Sequence, residues 1–175
     1  MEKIIHYCWF GPKPLGKLEK KCIASWKKYL PDYKIMKWSE ENVDLNECEF
    51  IKEAYAQKKW AFVADYVRTK VLYEYGGIYM DTDMEIISDL KDFEDKDLVF
   101  GLEDSGEPNA AIVIANKKHN TIKRIITITR NVIIPFLFLS CSIFSTPFNY
   151  NYNIIEFYVN FFMIYNNILS AIFCL

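Results

Sequence analysis

Residues 60–83 constrain the fold more than any other stretch of this chain. One face of Trp60 to Tyr75 carries Trp60, Val63, Val67, Val71 and Tyr75, and a second carries Ala61, Asp65, Arg68 and Leu72. A helix apolar on two sides is mostly buried. Gly76-Gly77 supplies a left-handed stop, and Ile78-Tyr79-Met80 follows as a short apolar strand that ends in Asp81-Thr82-Asp83. A buried helix feeding a buried strand belongs to a layered α/β fold.

The flanking sequence repeats that alternation. Lys3 to Trp9 reads as a strand running into the turn Gly11-Pro12-Lys13-Pro14. Leu15, Leu18, Cys22, Trp26 and Leu30 recur at spacings of three and four, which predicts an amphipathic helix ended before Pro31-Asp32. Tyr33 to Trp38 reads as a second strand and Glu49 to Lys58 as a helix. Met84 to Ile87, Leu98 to Leu102 and Ala110 to Ala115 are further strand candidates, and a helix begins within Lys118 to Arg130. Strands alternating with helices predict a largely parallel sheet. No internal repeat stands out at a useful period.

Charge and composition set limits on function. The 175 residues carry 21 Lys+Arg against 23 Asp+Glu, a net charge of −2, so no basic patch argues for nucleic acid. Hydrophobic content of 51% and aromatic content of 17% exclude a disordered chain. The five cysteines lack metal-site spacing and read as reduced thiols of a cytoplasmic protein. Met1 to His6 has no long apolar core or small-residue cleavage site, so no signal peptide is expected.

The average hides a break. Of the 44 charged residues, 43 lie in 1–130, and only Glu156 lies beyond. Residues 131–175 hold 8 Ile, 8 Phe, 7 Asn and 4 Tyr, with no Lys and no Gly. We therefore expect two regions: 1–130, which carries the chemistry, and an anomalous apolar tail, 131–175. A reading-frame shift near residues 125–131 accounts for a tail that keeps an AT-rich base bias but loses the protein pattern. The competing reading is a membrane anchor over Val132–Phe148 and Phe157–Leu175, though Pro135, Pro147, Asn160, Asn166 and Asn167 interrupt those stretches.

Asp81 and Asp83 are the sharpest candidate site residues. In an extended segment alternate side chains share a face, roughly 7 Å apart at Cα. Two like charges held together call for something positive between them. A hard divalent cation, completed by water and phosphate oxygens, suits them. The plain alternative is a polar turn at a strand end. A calcium loop fails because Ile86 stands where glycine is required. An aspartyl nucleophile of phosphatase type is a minor alternative. The carboxyl end of a strand is where open α/β sheets bind ligands.

Asp65 and Arg68 stand at i and i+3 on the long helix. They form either an ordinary surface ion pair or, on so apolar a helix, a pair reaching into a polar pocket, where the planar guanidinium suits phosphate or sugar oxygens. Trp9 ends the first strand and serves as core or as a stacking platform for a nucleobase. His6 has no evident partner in the sequence and reads as structural.

Taken together, Ile4-Ile5-His6-Tyr7-Cys8-Trp9-Phe10-Gly11, Ser25-Trp26 with Pro31-Asp32-Tyr33, Ala61-Phe62-Val63-Ala64-Asp65-Tyr66-Val67-Arg68 and Tyr75-Gly76-Gly77-Ile78-Tyr79-Met80-Asp81-Thr82-Asp83 resemble glycosyltransferase family 32. That group includes capsular-polysaccharide transferases with a sugar-binding DXD region. The likeness runs over residues 3–125 and stops there. It implies a GT-A fold, a Rossmann-like nucleotide-sugar-binding architecture incomplete at its C-terminus. It also implies retaining transfer from a nucleotide sugar, a UDP-sugar ahead of a GDP-sugar, to a polysaccharide or glycolipid acceptor. Asp81 and Asp83 would hold Mn²⁺ or Mg²⁺ on the donor diphosphate, with Asp83 the catalytic residue. Asp65 and Arg68 would bind the donor sugar and phosphate edge, Tyr79 would line the pocket, and Trp9 would stack on the base. The expected location is cytoplasmic, with loose association at the inner face of the membrane left open. The readings set against transfer are a truncated remnant that at most binds nucleotide sugar, and a membrane-anchored protein.

Overall fold

The computed structural model describes residues 1–132. The expectations for the tail beyond them, a shifted frame or a membrane anchor, lie outside the described residues. A first compact unit spans Met1–Ile134.

The chain runs β1 (Ile4–Cys8), α1 (Lys17–Tyr29), β2 (Lys34–Trp38), α2 (Glu49–Ala56), α3 (Trp60–Tyr75) and β3 (Gly77–Met80). A 3-10 turn at Lys91–Phe93 precedes β4 (Leu98–Leu102), β5 (Pro108–Ala115) and α4 (Asn120–Val132). The five strands form one sheet in the order β2-β1-β3-β5-β4.

β1 pairs in parallel with β2 and β3, as the alternation of strands and helices predicts. The other two pairings, β3 with β5 and β5 with β4, are antiparallel. The sheet is therefore mixed rather than largely parallel. The reason is local: β4 and β5 join through the short turn of residues 103–107, which has no room for a crossover helix. The order 2-1-3 places a switch point between β1 and β3, and ligand crevices open at the carboxyl ends of such strands.

Alternation along the central strands sorts the core into two layers. Ile5 and Tyr7 of β1 and Ile78 and Met80 of β3 pack with Trp26 of α1 and Leu30 just past its end. The intervening residues face α3: His6 lies 6.0 Å from the Tyr75 ring, and the Arg68 guanidinium sits over Tyr79. Both faces of β3 are covered, and all four of its residues are buried. The close approach of β3 to β1 depends on glycine. A Cβ at Gly77 would lie 2.5 Å from the Ile4 carbonyl oxygen, and its φ of +100° is one that side chains rarely adopt.

Residues 84–87 form no strand. Side chains of α1 satisfy that backbone instead: the Trp26 indole N–H donates to Met84 O at 2.7 Å, and Ile86 N–H donates to Ser25 Oγ at 2.9 Å. A segment whose polar groups are taken by side chains has no call for a ladder. His6, read as partnerless, is fully buried with two partners. Its Nδ1 accepts from Trp38 Nε1–H at 3.1 Å, so Nε2 carries the proton and donates to Gly76 O at 2.8 Å. Its structural role stands, as part of the seam joining β1, β2 and the end of α3.

Candidate active site

β3 stops at Met80 and the chain turns at once, with Met84 N–H donating to Asp81 O at 3.1 Å. The extended run expected through Asp83 is replaced by this turn, so alternation does not place the two aspartates on one face. Asp81 is half-buried, tied by its own N–H to Ala111 O at 2.8 Å, whereas Asp83 is exposed on the turn. The segment is thus a polar turn at a strand end, as the plain reading had it, and it leads directly from a cluster of buried charges.

Asp65, Arg68, Tyr79 and Asp81 converge there. Arg68 Nη2 lies 2.8 Å from Asp65 Oδ1 and 3.5 Å from Asp81 Oδ1. Arg68 Nη1 donates to Ala110 O at 2.6 Å, and the guanidinium carbon stands 4.8 Å from the Tyr79 ring centre. The Tyr79 hydroxyl donates to Asp81 Oδ1 at 2.9 Å. The Arg68 side chain is only 12% exposed, which removes the surface ion-pair reading. Its Nε is a buried donor with no partner among the described residues. Leaving such a donor unpaired costs on the order of 1–3 kcal/mol, which an acceptor oxygen arriving beside it would recover.

Burial dominates the electrostatics. It raises the pKa of Asp65, with Arg68 opposing and Asp81 adding to the rise. Asp81 is raised for the same reason, against the pull of Arg68 and the Tyr79 hydrogen bond. Burial holds the Tyr79 hydroxyl well above its ordinary value, so it remains a donor to Asp81 at neutral pH. Burial works against the charge of Arg68, but Tyr79, Asp65 and Asp81 outweigh it and the guanidinium stays charged. Cys8, at the carboxyl end of β1, joins the cluster through Tyr79. Burial pushes its thiol up to about 12, leaving it protonated and inert.

With its carboxylates ionised, the site sets Asp65, Asp81 and Asp83 against one guanidinium. That excess of hard oxygen charge fits a divalent cation whose other ligands are water and phosphate oxygens. Among the described residues no three His, Cys, Asp or Glu side chains gather around one point, so water and phosphate oxygens would have to supply most of such a cation's ligands.

Trp9 stands apart from this cluster. It lines a cleft of about 450 Å³ with Gly11, Leu15, Lys20, Lys37 and Glu40, and none of Asp65, Arg68, Tyr79 or Asp81 does so. Trp9 N–H donates to Trp38 O at 2.9 Å and its indole N–H to Lys13 O at 2.6 Å. The cleft sits where β1 and β2 end.

Sequence reasoning missed Cys8, the Ala110 carbonyl and Glu40. Cys8 was within reach, because it alternates with His6 on the face that meets α3. Ala110 contributes a backbone atom from the antiparallel return, which no side-chain pattern signals.

Residues 16–100 match the model of a family described as the glycosyltransferase sugar-binding region containing the DXD motif. That stretch holds Asp65, Arg68, Tyr79 and Asp81-Thr82-Asp83, and it excludes Trp9. No curated protein matches the chain. Among solved structures the chain is similar to the PaToxG glycosyltransferase, with a TM-score of 0.58 and 19% identity over 73% of this chain. It spans 58% of that structure's length. The fold is thus shared with a glycosyltransferase, and the matched stretch contains the Asp-x-Asp turn at Asp81.

Proposed function

We propose that the chain is a metal-dependent, retaining glycosyltransferase of the family 32 type, with residues 1–130 as its donor-binding domain. It moves a sugar from a nucleotide sugar, a UDP-sugar ahead of a GDP-sugar, to a polysaccharide or glycolipid acceptor. The observation that carries this reading is Arg68, buried and held between Asp65 and Asp81 at the end of β3, inside the stretch that matches a DXD sugar-binding region.

Each residue then has a task. Arg68 offers its unpartnered Nε–H to a donor oxygen. Asp65, fixed by Arg68, accepts from sugar hydroxyls. Tyr79 holds the Asp81 carboxylate in place through Oδ1. Asp81 and Asp83 would bind Mn²⁺ or Mg²⁺, whose charge would stabilise the departing diphosphate. Trp9 stacks on the base across the cleft. The free thiols of Cys8, Cys22 and Cys48 support a cytoplasmic location. Among the described residues no helix is long and apolar enough to cross a membrane. Association at the inner membrane face is proposed only as peripheral.

The matched stretch is described as a sugar-binding region, which suits a second reading equally, a module that binds nucleotide sugar without transferring it. Incubation with labelled UDP-hexoses and Mn²⁺ separates the two. Sugar transfer or slow donor hydrolysis supports the transferase, and metal-dependent UDP binding without turnover supports the binding module. Absence of both overturns the proposal.

A further inference from the structure

We infer that Glu40 is a positioning residue for the loop that holds the Trp9 indole, and that it sets the tilt of that ring in the cleft a nucleobase enters. The inference rests on the donor-binding reading above, but its observations are separate from the Arg68 cluster.

The loop between β1 and α1 has little to hold it. Pro12, Lys13 and Pro14 are exposed, and Leu15 is only half-buried. Beyond the Trp9 N–H bond to Trp38 O at the end of β1, the loop is tied to the opposite wall at Gly11, whose N–H donates to Glu40 Oε1 at 2.7 Å. The Tyr55 hydroxyl approaches the same oxygen at 3.4 Å, and the Tyr55 ring meets Trp60 edge-on with centres 5.1 Å apart. Trp60 in turn occupies the space where a side chain at residue 11 would go: a Cβ there would lie 2.8 Å from its Nε1. Gly11, at φ +88°, is therefore held by a carboxylate on its N–H and by an indole against its Cα.

Glu40 lies two residues past the end of β2, on the wall formed by Lys37, Ser39 and Glu41, while Trp9 and Gly11 belong to the other wall. A charge-assisted hydrogen bond from a side chain thus joins the two walls at Gly11. Trp9 is two residues from the bridged amide, and its own indole N–H closes the loop on Lys13 O. The Trp9 backbone stays fixed by its own N–H to Trp38 O, but releasing Gly11 frees the loop at Lys13 whose carbonyl holds the Trp9 indole, and with it the tilt of the ring toward the Lys37–Glu41 wall. Stacking on a base requires that tilt to be held before the base arrives.

The test is calorimetric titration of the 175-residue chain with UDP in the presence of Mn²⁺, together with backbone hydrogen exchange at Gly11. Glu40→Ala is expected to weaken UDP about tenfold, the loss of one charge-assisted bond, and to strip protection from the Gly11 amide. Glu40→Gln keeps an acceptor oxygen and is expected to stay within about threefold of wild type. A tether that serves stability alone would lower the unfolding midpoint of Glu40→Ala and leave UDP affinity unchanged in the folded protein; that result overturns the inference. Should Glu40→Ala not fold, Glu40→Asp keeps the charge but withdraws the carboxylate by one methylene, and wild-type affinity in that variant overturns the inference equally. A wild-type chain that binds no UDP overturns the donor-binding reading with it, whereas wild-type binding with silent Glu40 variants overturns this inference alone.

Discussion

Arg68 Nη2 lies 2.8 Å from Asp65 Oδ1 and 3.5 Å from Asp81 Oδ1, so one guanidinium serves a carboxylate on its own helix and another at the end of the central strand. This links the helix that frames the site to the turn that carries the aspartate pair.

Arg68→Ala should therefore do two things. It should weaken nucleotide-sugar binding by roughly 2–4 kcal/mol through loss of a charge-assisted buried contact. It should also lower stability, because Asp65 and Asp81 lose the cation that opposes their burial. Calorimetry and urea unfolding read the two effects separately. A variant near wild type in both would show that the pair matters little.

Asp81→Ala and Asp83→Ala should both abolish Mn²⁺-dependent UDP binding but differ in stability. Asp83 is exposed, and its loss should shift stability by no more than about 0.5 kcal/mol. Loss of Asp81 takes the carboxylate acceptor from the buried Tyr79 hydroxyl and leaves it only the Cys8 thiol, which should cost on the order of 1–3 kcal/mol. Equal metal-dependent UDP affinity in wild type and both variants would remove the metal assignment.

Burial lowers the pKa of His6 below its ordinary 6.5, partly offset by its bond to Gly76 O. The folded protein thus holds His6 neutral where the unfolded chain would begin to protonate it. As pH falls below about 6.5 the unfolded state gains protons the folded state refuses, and stability drops until the native pKa is reached. Urea midpoints at pH 7.5 and 5.5 should show this loss, and His6→Gln should remove the His6 share of it. A variant with the same pH dependence as wild type would place the effect elsewhere.

Ser25→Ala should cost on the order of 1–3 kcal/mol, because it leaves the buried Ile86 N–H without an acceptor. The segment after the aspartate pair should then loosen, read as faster hydrogen exchange at Ile86. Unchanged exchange there would mean that the Ser25 bond does not hold the segment.

The helices and the parallel half of the sheet were legible because their signals are local. The two apolar faces of residues 60–75, the Gly-Gly stop and the four-residue spacing of Cys22, Trp26 and Leu30 each fix an element within one window, although Leu18 of the same series is 56% exposed and lies off the buried face. Residues 84–87 misled because their apolar, β-prone character is real, but partners 58 and 61 residues away take their backbone groups. The same distance hid the partners of His6: Trp38 is 32 residues off and Gly76 is 70. Asp65, Arg68, Tyr79 and Asp81 could be singled out because carboxylates and a guanidinium are conspicuous on apolar elements. Their mutual geometry was not readable, since it depends on how α3 lies across β3.

The antiparallel return of β5 makes the site sensitive to hairpin slippage. Because β5 runs against β3, Met80 faces Ile112 and the start of β5 comes alongside the end of β3, bringing the Ala110 carbonyl to Arg68 and the Ala111 carbonyl to the Asp81 amide. In a strand with a two-residue period, sliding the hairpin by a single position turns those carbonyls away and leaves Arg68 Nη1 and the Asp81 amide without acceptors. The irregularity between Phe100 and Gly101 lies in the same hairpin. Insertions or deletions in the turn of residues 103–107 that change this alignment would therefore disarm the charge cluster without altering any of its side chains.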